Sequence, residues 1–191
     1  MSNSSKEVLF DFTTMDTVSD WYEVSDTVRT VGMSKASLVL QKTKVYQRAI
    51  FFALLNPQPN GACFAGMSKN IDKDFSGFLG LEIKFRSQSA NIRQWKIVLR
   101  TDSSIDRFTS YQQLFDVQPD QKDFETIFMP FEDFHQDVNG TVPPDETPLD
   151  LTKIKSIGIQ AFGGVYEDFK QSGPATLELD FISLVSVKTK L

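Results

Sequence analysis

Histidine, cysteine and tryptophan are scarce in this chain of 191 residues, which has one His, one Cys and two Trp. With His135 as the single imidazole, a triad hydrolase has one candidate base, and no Gly-x-Ser-x-Gly elbow accompanies it. One His and one Cys do not supply the three or four N/S ligands that zinc takes. Cys63 alone cannot form an intramolecular disulfide, which fits a reducing compartment. Long hydrophobic runs are missing too: stretches such as 49–55 are far too short to span a bilayer. Residues 1–8 carry neither an apolar signal core nor an Arg-rich amphipathic presequence, so the expectation is either a cytoplasmic N-terminus or a start after removal of a presequence. There is no basic run, and the formal net charge is −5, so the electrostatic footprint of a nucleic-acid binder is lacking. Gly163 and Gly164 are followed by no helix that could cradle a phosphate.

Phenylalanine is abundant, with 17 residues, and it recurs in short alternating runs. That pattern suits a core in which rings interdigitate between two sheets. In 79–86, Leu81, Ile83 and Phe85 alternate with Glu82, Lys84 and Arg86. In 95–101, Trp95, Ile97 and Leu99 oppose Lys96 and Arg100; in 177–181, Leu177, Leu179 and Phe181 oppose Glu178 and Asp180. Further strands are expected at 8–12, 36–41, 49–55, 62–67, 109–116, 124–129 and 156–162. Pro57, Pro59, Asn60 and Gly61 mark a loop; residues 136–148, with Pro143, Pro144 and Pro148, mark a long one. One helical turn fits 133–136. The expectation is an all-β jelly-roll sandwich at 7–187, with polar tails at 1–6 and 188–191.

A set of short segments, in order, carries a family resemblance. Trp21 precedes Val24, Ser25 and Asp26, then Val31, Gly32, Met33 and Ser34. Asn60, Gly61, Ala62, Cys63, Phe64 and Ala65 precede Asp74, Phe75, Ser76, Gly77 and Phe78. Then come Leu99, Arg100, Thr101 and Asp102, the run Met129, Pro130, Phe131, Glu132, Asp133 and Phe134, and finally Leu177, Glu178, Leu179, Asp180 and Phe181. Together these resemble the complex I intermediate-associated protein family, from about Asp11 to Val185. Val31–Gly32–Met33–Ser34 departs from the family's Met-Gly-Gly-x-Ser turn, and Gly66 stands where Arg is common, which marks a divergent member. The resemblance implies a galactose-binding-like jelly roll. It also implies a non-catalytic protein-binding role of the kind played by respiratory complex I assembly factors, with protein partners and a mitochondrial location.

The residues suggest where binding would occur. Lys84 and Arg86 share one face of a strand, and Lys96 and Arg100 share one face of the next; as neighbours they would cluster four cations. Tyr111, Gln113 and Gln160 are expected beside them, on a face suited to acidic protein segments or sugars. The competing reading is a solvated sheet face with ion pairs to Glu82 and Glu178. Pro130, Phe131, Asp133 and Phe134 read as a structural motif at a sheet edge, with both rings turned inward. Asp11 and Asp180 are candidate calcium ligands, although calcium needs six or more oxygens. The alternative for Asp180 is a basic partner. No cofactor and no paired-carboxylate catalysis are expected. A carbohydrate-binding module is the alternative function.

Overall fold

The computed structural model describes residues 4–59, 62–88, 91–101 and 109–187. Asn60, Gly61 and Asp102 of the family-like segments lie outside the described residues. Strands dominate because the apolar residues alternate with a period of two. In chain order they are β1 (Ser4–Asp11), β2 (Trp21–Ser25), β3 (Lys35–Lys42), β4 (Gln47–Leu55), β5 (Phe64–Lys73) and β6 (Gly80–Ser87). They continue with β7 (Gln94–Thr101), β8 (Thr109–Asp116), β9 (Glu125–Pro130), β10 (His135–Val138), β11 (Ile154–Phe162) and β12 (Gly173–Val187). Short 3-10 turns occupy Asp26–Val28, Phe131–Asp133 and Leu151–Lys153. Among the described residues, no helix is long and apolar enough to cross a membrane.

Two antiparallel sheets result. Sheet A runs β3-β4-β12-β6-β9, with β1 also paired to β12; sheet B runs β10-β8-β7-β11-β5-β2. The inward rows meet in one core. Phe51, Leu81, Ile83 and Phe85 come from sheet A, and Trp95, Ile97, Leu99, Ile157 and Ile159 from sheet B. Phe51 meets Trp95 edge-on at 5.3 Å.

The Pro130 motif makes the corner between the sheets. Pro130 ends β9 opposite Gly80, and the Phe131 amide still donates to the Leu79 carbonyl at 2.9 Å. The chain then turns through Phe131–Asp133 and enters β10 on the other sheet. Phe131 and Phe134 are both buried; Phe131 stacks on Phe75 at 5.6 Å and lies 6.0 Å from Phe134. Asp133 of the motif is exposed on the turn. The helical turn lies at Phe131–Asp133, two residues earlier than the 133–136 expected, and the long loop read from 136 begins as a strand.

One bulge changes a reading of parity. β12 pairs with β4 through Leu179 and with β1 from Phe181, and the register against β6 shifts between those two residues. Asp180 sits in that irregularity, and its carbonyl accepts from the Phe12 amide at 3.0 Å. Phe181 is consequently only half-buried, with the Lys84 ammonium over its ring, while Ile182 and Leu184 fill the core. The Asp180 carboxylate faces Arg48 at 2.7 Å and Lys84 at 3.6 Å. The Asp11 carboxylate instead caps Thr13, accepting from its amide at 2.9 Å and its hydroxyl at 2.5 Å. Protein donors thus engage both proposed calcium ligands, and the described residues hold no cluster of three or more His, Cys, Asp or Glu.

Candidate functional site

The expected four-cation face does not form. β6 lies in sheet A and β7 in sheet B, so Lys84 and Arg86 are separated by the core from Lys96 and Arg100. Strand parity holds, but β6 and β7 pair in different sheets and so form no hairpin. On sheet A the cations are structural. Arg86 grips the buried Glu178 through Nε at 2.9 Å and Nη2 at 2.6 Å, and the Tyr46 hydroxyl donates to the same carboxylate. That bond to Glu178 holds the guanidinium above its ordinary pKa. The Phe124 ring lies 4.8 Å from Arg86, 5.2 Å from Arg48 and 5.6 Å from Lys84. Glu82 pairs with Lys6 at 2.5 Å. This outer face matches the ion-pair reading.

The outer face of sheet B is different. It carries an open groove of about 1000 Å³ that reaches all of its strands. Cross-strand register sets out this outer face in rows. Val24, Gly66, Gln160, Lys96 and Leu114 form one; Tyr22, Ser68, Gly158, Val98, Gln112 and His135 form the next; Asn70, Ser156 and Arg100 begin a third. Gly66 and Ser68 on β5 pair with Gln160 and Gly158 on β11 and are buried on this face. A Cβ added at Gly66 would lie 2.8 Å from the Ile159 carbonyl oxygen, so β5 admits no side chain there without a shift. Lys96, Val98 and Arg100 on β7 and Tyr22 and Val24 on β2 line the groove.

Lys96 is the chemical centre of this groove. Its ammonium donates to Gln112 Oε1 at 2.5 Å and lies 5.1 Å from the centre of the Phe162 ring. Gln112 Nε2 in turn donates to Asp137 Oδ2 at 2.7 Å, and Asp137 Oδ1 accepts from the Gly140 amide at 3.1 Å. Ammonium to amide oxygen and amide nitrogen to carboxylate is the one polarity that satisfies both neighbours. Burial pushes Lys96 down from 10.5 to about 8, against the opposing charges of Asp137 and Glu167. Arg100 Nη1 donates to the Thr109 carbonyl at 2.8 Å.

Two loops meet at the β10 edge. Asn139 and Gly140 take positive φ, 59° and 89°, in the turn that closes Val138 on Thr141. Tyr166 lies over this turn, where a Cβ on Gly140 would come within 2.8 Å of its ring. The Tyr166 loop is held by Lys170, whose ammonium donates to the carbonyls of Gly164 at 2.5 Å and Glu167 at 2.7 Å. Tyr22, at the opposite edge, donates from its hydroxyl to Asn70 Oδ1 at 2.9 Å.

The sequence expectations map unevenly onto this groove. Lys96, Arg100 and Gln160 line it. Tyr111 is buried on the core side, its hydroxyl donating to the Pro148 carbonyl at 3.3 Å, and Gln113 shares its parity. They have the wrong parity for the site; Gln112 and Leu114 take their place. The signal for this was present, since Tyr111, Phe115 and Val117 form an apolar set of one parity. Asp137 and Tyr22 were missed with their strands, which are short and carry few branched apolar residues. His135 is exposed, with its Nδ1 3.2 Å from Glu146 Oε2. His135→Ala should therefore change urea unfolding by no more than about 0.5 kcal/mol. It should leave partner capture unchanged as well; loss of capture with the fold intact would make His135 part of the site.

Two antiparallel sheets with this topology define a galactose-binding-like jelly-roll sandwich. Within that class, the chain belongs to the complex I intermediate-associated protein 30 (CIA30) family, whose sequence profile matches residues 10–179. No curated protein matches it significantly by sequence. Among solved structures it is similar to a family 11 carbohydrate-binding module from Clostridium thermocellum in complex with a β-1,3-1,4-mixed-linked tetrasaccharide. That pair has a TM-score of 0.66 and 20% identity, and covers 95% of this chain and 96% of the module. The family 11 module of a cellulosomal cellulase from the same organism gives 0.66 and 18%, covering 100% of both chains. A family 30 module of another C. thermocellum cellulosomal cellulase gives 0.57 and 9%, covering 97% of this chain and 99% of the module. At these identities the likeness concerns the fold alone.

Proposed function

We propose that this is a single non-catalytic protein-binding domain of the assembly-factor type, acting on intermediates of respiratory complex I in mitochondria, with the sheet B groove as its contact surface. Family membership over residues 10–179 supports the class of partner. The observation that carries the choice of surface is the composition of the groove floor. Val98, Leu114 and small residues surround one polar chain, Lys96–Gln112–Asp137. Such a floor suits a polypeptide, which offers alternating apolar and polar groups and backbone amides. The exposed rim adds Val28, Val165 and Tyr166, apolar side chains that a protein partner would cover.

Tyr166→Ala tests this reading. Tyr166 is 65% exposed, so its loss should change stability by no more than about 0.5 kcal/mol. Affinity purification of the tagged chain from its native cells should recover complex I assembly proteins, and the variant should recover markedly less. Undiminished recovery would place the contact elsewhere. A second reading, glycan binding, is favoured by the two tyrosine rings at opposite edges, since sugar C–H faces pack on aromatic rings. Titration with a mixed-linked β-glucan tetrasaccharide separates the two readings: saturable binding lost in Tyr22→Ala would favour the glycan.

A further inference from the structure

Lys96 is oriented as well as desolvated. Its ammonium donates to Gln112 Oε1 at 2.5 Å, and the Phe162 ring centre lies 5.1 Å away. Gln112 is fixed in that sense, because its Nε2 is committed to Asp137 Oδ2 at 2.7 Å and only Oε1 is left for the lysine. A neutral amine carries two N–H groups and one lone pair. The Gln112 oxygen and the electron-rich ring face both take N–H, so the lone pair is left for the open groove that Lys96 lines. The other lysines are held differently. Among the described residues, seven have a carboxylate within 3.8 Å of the ammonium, which favours the charged and unreactive form. Lys170 is bound by backbone carbonyls instead. Lys96 has no such ion pair among the described residues. On β8 and β11 it is flanked by the uncharged Gln112, Leu114, Gln160 and Phe162, while Asp137 and Glu167 act from beyond ion-pair distance. Arg29, Arg100 and Lys155 are the other cations along the groove. Burial sets the Lys96 pKa at about 8.

We propose that Lys96 is an acyl-acceptor site, modified without an enzyme by acyl thioesters of the coenzyme A type that enter the groove. Such a modification needs no protein partner, so it stands apart from the protein-binding reading. The Nζ lone pair attacks the thioester carbonyl carbon; a C–N bond forms and the C–S bond breaks. The sulfur leaves as a thiolate, and the proton shed by the nitrogen restores it to the thiol. The product is an amide whose remaining N–H still has Gln112 Oε1 as its acceptor. Val98 and Leu114 in the same lining offer an apolar surface to a short acyl group. Acylation also removes a desolvated cation from the fold. At pH 8 about half of an amine titrating near 8 is neutral, against about 1 in 300 for one at 10.5. A weaker base is also a weaker nucleophile, and the two effects together leave Lys96 about tenfold ahead of an exposed lysine.

The test is exposure of the whole chain to acetyl-coenzyme A between pH 7 and pH 9.5, with the initial acetylation rate of each lysine read by peptide mass spectrometry. At pH 8, Lys96 should be acetylated about tenfold faster than the median lysine. Its rate should level off above about pH 9, while the exposed lysines keep accelerating to pH 9.5. In concentrated urea the lead should vanish, since the unfolded amine returns to its ordinary value of 10.5. Acetylation of Lys96 no faster than the median would overturn the proposal. So would a rate that climbs with pH as the others do, or a lead that survives unfolding. A chain that captures complex I assembly proteins while Lys96 stays unmodified would sink this site and leave the protein-binding reading standing.

Discussion

Replacing Phe131 with alanine should lower the free energy of unfolding by about 3–5 kcal/mol, the usual cost of removing a buried phenyl ring. The ring is buried at the point where the chain leaves sheet A for sheet B, stacked on Phe75 and 6.0 Å from Phe134. Phe75 is itself fully buried, and its amide donates to the Leu151 carbonyl at 2.7 Å. A cavity there would have little means of collapsing, because both neighbouring rings are held by backbone already committed to sheets and turns. Urea unfolding followed by tryptophan fluorescence measures the change. A loss below about 1 kcal/mol would mean that the corner relaxes around the cavity, and that the motif serves something other than stability.

Lys96→Met should do the opposite and raise stability, by about 1–3 kcal/mol at pH 7, while weakening partner binding. The sign follows from burial. In the folded chain the ammonium titrates near 8, whereas in the unfolded chain it keeps its ordinary value of 10.5. Below pH 8 both forms are charged, and the fold carries the full cost of holding a desolvated cation. Between about 8 and 10.5 the folded lysine sheds its proton while the unfolded one retains it, so the native protein gains stability with rising pH. The advantage of methionine should therefore shrink across that window. Thermal melts of both proteins at pH 7 and pH 9.5 read the difference directly. Destabilisation by methionine at pH 7 would show that the bond to Gln112 and the attraction of Asp137 and Glu167 outweigh desolvation, and Lys96 would then be a structural residue. A cation kept at a cost to folding is the signature expected of a residue retained for binding.

Local alternation made much of the fold legible. β6 and β7 read correctly to the residue face because each buries one side only, and a slip of one residue would bury charges. What alternation does not report is which strand lies beside which. The linker from Ser87 to Arg93 is short enough for a hairpin, yet β6 pairs with β12 and β7 with β11, in different sheets. That choice is made by contacts distant in sequence, so the four cations of the expected site fall on opposite sides of the core. The bulge at Asp180 was hidden for a related reason. Leu177 to Phe181 alternates cleanly, but β12 exchanges β4 for β1 there, and the register shifts. Tyr111 and Gln113 were misplaced because tyrosine suits both a wet groove and a core; the buried Phe115 and Val117 decide in favour of the core. The Pro130 corner was legible because proline and two phenylalanines three positions apart admit few arrangements.

The central claim is that the groove over sheet B, and not the ion-paired face of sheet A, meets the partner. Site-specific photocrosslinking in the native cells tests it most directly, with a benzophenone side chain placed at Leu114 in the groove or at Phe52 on the outer face of sheet A. Both positions are similarly exposed, at 42% and 40%. Adducts from Leu114 to complex I assembly proteins, with none from Phe52, are the predicted result; adducts from Phe52 alone would contradict it.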